Sequence, residues 1–240
     1  MIEYLDRIGF MKPKTQFIHG VWLNPREIEI LARTGVTIQH NPSSNLKLGS
    51  GIAPVRALLD AGVNVSMGTD GCGSIDGTDM QNVLYTGALL QKLRGDHTTW
   101  VGATEAFHAA TMGGAIALGR EKDLGAVAPG RIADLTGYRL DSIPFTPLNN
   151  AVNQLVYSAC RNEVDFVMVD GDVIEQGGRL TRIDEAAIIA EIHEAHARIE
   201  PMLSASEADV EEMIGPYERI YRRCQCMDIA PDTFPARFPE

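Results

Sequence analysis

The feature that most constrains the fold lies in the first 70 residues. Three short runs rich in β-branched and apolar residues each turn polar at their last one or two positions. They are Gln16-Phe17-Ile18-His19, then Val36-Thr37-Ile38-Gln39-His40, then Val63-Asn64-Val65-Ser66-Met67 followed by Gly68-Thr69-Asp70-Gly71. Between them lie segments with helical spacing. Asn24-Pro25-Arg26-Glu27 opens the first as N-cap, first-turn proline and capping-box glutamate. Ile28, Leu31 and Ala32 give it an apolar face, and Gly35 ends it in a left-handed cap. Pro54 to Ala61 is the second, with Val55, Leu58 and Leu59 on one face and Gly62 after it. Strand, helix, strand, helix, strand with short connections predicts a parallel βα layout, because parallel neighbours need a crossover between them.

Two further helices are expected over Asp79–Arg94 and Ala103–Leu118, the second closed by Gly119. The texture then changes. Leu124-Gly125 through Pro129-Gly130 is turn-rich, and Ala133–Tyr138 reads as a short strand. Asp170-Gly171 between Asp165–Val169 and Asp172–Ile174 signals a hairpin. Ile183–Ile199 has a helical apolar face, and a separate helix is expected around Val210–Arg223. The division that follows is 1–123, 124–182 and 183–240.

In parallel α/β barrels, catalytic groups sit at the C-terminal ends of the strands. His19, the His40-to-Asn45 segment and Asp70 all fall there. Composition narrows the partners. A formal net charge of -11 argues against nucleic acid and anionic lipid, which require basic patches. No apolar run reaches the length of a membrane span, and the four scattered cysteines suit reduced thiols in the cytoplasm. His108 reads as packing, and His193 and His196 as a packed or solvated helix face. Cys224-Gln225-Cys226 is a lone pair without a second ligand set.

The motifs carry a resemblance. Phe17-Ile18-His19-Gly20-Val21-Trp22-Leu23 is similar to the sixth-strand segment of amidohydrolase-superfamily deaminases. His40-Asn41-Pro42-Ser43-Ser44-Asn45, running on to Val55, resembles the seventh-strand loop of the adenosylhomocysteine and methylthioadenosine deaminase group. Asn64–Gly71 resembles the eighth strand, and Leu124-Gly125, Pro129–Leu135 and Val169-Asp170-Gly171 resemble the small β-domain behind the barrel. The resemblance implies an α/β chain: the C-terminal portion of a (β/α)8 TIM-type barrel, then a small β segment and a C-terminal helix.

It also implies roles. Asp70 would be a metal ligand that takes a proton from the attacking water, and His19 would stabilise charge during attack. His40, Asn41 and Asn45 would line the substrate pocket. The implied cofactor is a divalent metal, zinc or alternatively iron. The implied reaction is hydrolytic deamination or dechlorination of a nitrogen heterocycle. Amide or carbamate hydrolysis on the same scaffold stays open, as does a truncated binding subunit without catalysis.

The sequence departs from the family pattern in one respect. The family's His-x-His pair on the first strand and its fifth-strand histidine and glutamate have no counterpart among His19, His40, His97, His108, His193 and His196. A catalytic zinc normally has three protein ligands, so this chain alone is expected to bind metal weakly or not at all. A full barrel takes about 250 residues, and roughly 120 here read as barrel by where the βα texture stops. The expectation is a fragment, a split-enzyme chain or a truncated product. Its open edges would be covered by a homo-oligomer or a complementing chain.

Overall fold

The computed structural model describes residues 1–159 and 161–226. These divide into two units, one ending at Gly178 and the other beginning at Arg179. In the first, α1 (Ile2–Arg7) precedes β1 (Gln16–Ile18), α2 (Pro25–Thr34), β2 (Thr37–His40), α3 (Pro42–Lys47), α4 (Val55–Asp60) and β3 (Asn64–Met67). The three strands form one parallel sheet in the order β1-β2-β3, with Gln16 beside Thr37 and Thr37 beside Asn64. All three strands point the same way, so their polar ends gather along one edge.

Local sequence explains α2 closely. The Asn24 side chain accepts the Glu27 N–H at 2.9 Å, and the Glu27 carboxylate accepts the Asn24 N–H at 3.2 Å. Glu27 is buried, yet it also accepts the Ile2 N–H at 3.2 Å, which ties α1 to the start of α2. Gly35 closes the helix at φ 68°. The apolar faces of α2 and α4 then pack on the sheet. Leu31, Ile38 and Leu58 have no exposed surface, and Val36, Val55 and Val65 have almost none. Burial of such side chains contributes about 1.5–3 kcal/mol each.

Three expectations change beyond β2. The segment after His40, read as a strand-end loop, begins with the short helix α3, which Pro42 starts. After the short α5 (Cys72–Ile75), the helix expected to reach Arg94 is α6 (Met80–Leu90) followed by a tighter turn over Gln91–Leu93. The helix expected over Ala103–Leu118 is broken into α7 (Ala103–Ala110) and α8 (Met112–Ala117). The break has a packing cause. At Gly113 the backbone of α8 approaches the Val65 carbonyl so closely that a Cβ would collide with it, and the Asn64 amide donates to the Gly113 carbonyl at 3.0 Å. A straight helix could not lay its second half against β3 in this way. Thr111 turns the chain, its hydroxyl donating to the Phe107 carbonyl at 2.8 Å.

The second sheet contains β4 (Leu135–Tyr138), β5 (Val164–Val169) and β6 (Asp172–Gln176), all antiparallel. The β5–β6 turn is the expected one, since Asp170 and Gly171 both have positive φ (50° and 84°). Between β4 and β5 lies α9 (Ala151–Tyr157), which sequence patterning missed. Val156 of α9 packs with Leu84, Ala88, Ala103 and Ala106. In the second unit, β7 (Arg179–Leu180) leads into α10 (Glu185–Gln225). The two helices expected there are one helix of 41 residues, continuous through Pro201 and Pro216.

Candidate active site

His19 follows β1 directly and Asp70 lies three residues beyond β3. Both residues have left-handed backbones, with φ of 74° and 73°. That conformation is uncommon for residues with a Cβ and costs about 1–2 kcal/mol. Such strain concentrates at functional sites. Here it aims two side chains from strands separated by β2 toward each other. Nε2 of His19 lies 3.8 Å from Oδ2 of Asp70. That gap is too long for a direct hydrogen bond and short enough for both groups to touch one small reactant.

Each member of the pair is held from behind. Nδ1 of His19 is 2.9 Å from Oδ1 of Asn45, the residue that α3 places beneath it. This contact puts the Nδ1 proton toward Asn45, so Nε2 is the ring atom free to work toward Asp70. The Asp70 carboxyl is held below its ordinary range by the adjacent Ser44 hydroxyl and by the Gly71 N–H at 2.7 Å. Asp70 is therefore ionised at neutral pH and able to accept a proton.

The three residues expected to line a pocket are buried in this chain. His40, Asn41 and Asn45 have at most 1% of their surface exposed. They pack against His19 and Asp70 from below. With its amide nitrogen turned to the main chain, Asn41 donates to the carbonyls of His40 at 3.3 Å and Gly68 at 3.2 Å, joining the ends of β2 and β3. His40 has neither ring nitrogen hydrogen-bonded among the described residues. Burial and the adjacent His19 push its pKa down to about 4, so it is neutral at pH 7. The sequence shows a polar residue at a strand end. It does not show that the side chain alternation of β2 turns this one inward.

His19 also borders a cleft of about 860 Å³ that runs along the outer side of β1, past Ile18, Trp22, Tyr4 and Leu48. Asp70 is not part of that lining. Among the described residues no group of three or more His, Cys, Asp or Glu side chains is placed to hold a metal ion. Asp70 offers one carboxylate and His19 one imidazole, and a catalytic zinc takes three protein ligands. The donor set among the described residues therefore does not fit a metal by itself.

The ionised carboxylate and the oriented imidazole lie at the C-terminal edge of a parallel βα sheet, where enzymes built on α/β barrels carry their catalytic groups. Residues 1–174 match the model of the amidohydrolase family, and the chain belongs to that family. Its relatives lie in the deaminase branch. It is 42% identical over 196 residues to the 5'-deoxyadenosine deaminase of Methanothermobacter thermautotrophicus, covering 82% of this chain and 45% of that one. It is 43% identical over 173 residues to the 5-methylthioadenosine/S-adenosylhomocysteine deaminase of Thermococcus onnurineus, covering 72% and 40%. Among solved structures, a zinc-bound adenosine deaminase from Xanthomonas campestris superposes with a TM-score of 0.80 at 36% identity, covering 83% of this chain and 46% of that one. An atrazine chlorohydrolase from Arthrobacter aurescens, complexed with zinc, gives 0.73 at 32%, covering 79% and 42%. The chain spans less than half the length of the curated relatives it matches.

Proposed function

We propose that this chain supplies the proton-handling part of a hydrolytic site that deaminates a nitrogen heterocycle of the nucleoside type. The observation that carries the reading is the His19–Asp70 pair, 3.8 Å apart at the C-terminal edge of a parallel sheet. Water attacks the ring carbon that bears the amino group. Oδ2 of Asp70 accepts the water proton and later gives it to the departing nitrogen, so that ammonia leaves as the C–N bond breaks. Nε2 of His19, whose lone pair is left free because the Nδ1 proton faces Asn45, accepts a hydrogen bond from the attacking water and orients it. Asn45 holds the imidazole, and Ser44 and Gly71 keep the carboxylate ionised until it is needed. His40 and Asn41 pack beneath the pair.

A divalent ion, zinc as in the two solved neighbours or iron, lowers the pKa of a bound water when present. Asp70 is the one ligand this chain would contribute, and the remaining donors come from outside its described residues. A complementing chain or further barrel strands would supply them. The division into barrel strands over 1–123, a β segment over 124–182 and a helical tail is part of this proposal. Dechlorination is the second reading, favoured by the likeness to the chlorohydrolase. No helix among the described residues is long and apolar enough to cross a membrane, and the exposed free thiols of Cys72, Cys224 and Cys226 suit a reducing cytoplasm.

The test is reconstitution. The chain is mixed with a segment bearing the family's first-strand and fifth-strand metal ligands. Metal content and loss of adenine-type absorbance are then followed on adenosine, 5'-deoxyadenosine and methylthioadenosine. Activity is expected only in the mixture, and Asp70→Asn should lower it by about 10²–10⁴-fold, the range for a lost general base. Full activity in that variant would refute the assignment.

A further inference from the structure

Because α10 is one continuous helix, a single register can be followed along its whole length. Counting by sevens from Ile189 reaches His196, Leu203, Val210, Tyr217 and Cys224. Counting by sevens from Ile192 reaches Ile199, Ser206, Met213 and Ile220. The two series interleave at spacings of three and four, which makes them the a and d positions of a heptad repeat. The repeat holds for five heptads without a skip. Eight of these eleven residues are Ile, Leu, Val, Met or Tyr, and those eight are exposed, Ile192 at 59% and Val210 at 58%. A shallow apolar hollow lies between Val210, Met213, Tyr217 and Tyr221.

The period matters. A helix resting on a globular core presents a face that follows 3.6 residues per turn, whereas a strict seven-residue repeat drifts about 20° per heptad and keeps facing a partner only if that partner is another supercoiling helix. Two further facts require packing. Most helical stability in proteins comes from packing an amphipathic face, and interior prolines each cost about 3 kcal/mol. Pro201 occupies position f, on the side opposite the seam, and Pro216 occupies g. Neither ring therefore enters the a and d layers.

We infer that α10 is a dimerisation helix that pairs, parallel and in register, with α10 of a second copy of this chain. Length, charge and area favour that occupant. A second copy offers a repeat of the same length and phase, so every apolar layer meets an apolar layer. The two polar positions, His196 and Ser206, meet themselves rather than an aliphatic layer. In the parallel arrangement the flanking g and e′ positions juxtapose Ala195 with Glu200, Met202 with Glu207 and Asp209 with Ile214, and no like charges meet. The antiparallel register that pairs every a with a d sets Glu200 against Glu207, which is repulsive. The 41-residue helix is about 62 Å long at 1.5 Å per residue and about 10 Å across. Its seam is thus on the order of 600 Å², near the ~800 Å² per partner of a stable interface.

Light scattering and sedimentation equilibrium of the full chain at micromolar concentration test this directly. The expected mass is twice 26.1 kDa. Val210→Asp at an a position and Ile199→Asp at a d position should each weaken association at least a hundredfold. Glu211→Lys, on the outer face at b, should leave it unchanged. In a variant whose single cysteine is Cys224, mild oxidation should give a covalent dimer, because parallel pairing brings the two terminal a positions together. A monomeric chain overturns the inference, and so does a dimer that persists in Val210→Asp. A trimer refutes the two-stranded form. An intact dimer without the Cys224 cross-link refutes the parallel register, and a monomer that loses its fold in Val210→Asp means the stripe packs within one chain.

Discussion

His40 makes a quantitative prediction about acid stability. Its ring is fully buried, both nitrogens lack partners among the described residues, and its pKa falls from 6.5 to about 4. In the unfolded chain the same histidine titrates near 6.5. Between those values the unfolded state binds a proton that the folded state does not, so stability falls as pH drops through 6.5 and levels off below 4. The full loss is about 3 kcal/mol, from 2.5 pK units at 1.36 kcal/mol each. By pH 4.5 about 2.5 kcal/mol of it is already gone. His40→Leu removes the effect. At pH 7.5 the variant should match the parent within about 1.5 kcal/mol, because the change nearly conserves volume and deletes polar atoms that have no partners. At pH 4.5 it should be the more stable of the two by about 2.5 kcal/mol relative to that baseline, or roughly 1 M in urea midpoint. Urea titrations at half-unit intervals from pH 7.5 to 4.5 measure this difference. A stability gap between parent and variant that does not change with pH would refute the reasoning, since it would mean that His40 is protonated in the folded protein or reaches a proton acceptor there.

Three other outcomes follow from local geometry. Asn24→Ala removes the N-cap of α2 and its reciprocal bond with Glu27, and thermal unfolding should register a loss of about 1 kcal/mol. Gly113→Ala drives a Cβ into the Val65 carbonyl, while at Gly114 nothing lies within 4 Å of an added Cβ. The first should cost about 1–3 kcal/mol and the second should gain about 0.5–1 kcal/mol, so equal effects would contradict the close approach of α8 to β3. Asn45→Leu frees the His19 ring. In the reconstituted enzyme kcat should fall about 10–100-fold, the cost of losing the partner that orients an imidazole, with KM little changed. A raised KM at constant kcat would place Asn45 on the substrate instead.

The chain of residues from Gln16 to Met67 determines its own layout. Branched apolar runs, Asn24-Pro25 at a helix start and glycines at helix ends act within a few residues, so strands, helices and the parallel arrangement are legible without coordinates. The Asp170-Gly171 hairpin belongs to the same class, since a turn with two positive φ angles is a local demand. So does the pairing of polar residues with strand ends, which singled out His19 and Asp70. Other features depend on what a segment packs against. The break at Thr111 arises because Gly113 must meet Val65, a residue 48 positions earlier. The helix α9 carries too short a pattern to stand out and is defined by its fit against α6 and α7. Pro201 and Pro216 argue for interruption, since each removes a backbone hydrogen bond, yet α10 runs through both. At the site, the sequence named the residues and tertiary structure decided their work. Left-handed backbones at His19 and Asp70 bring the two together, and the inward face of β2 buries His40. One turn of α3 sets Asn45 behind the imidazole. Those assignments depend on which atoms end up within 4 Å of one another across three strands, and no spacing along a single chain can encode that.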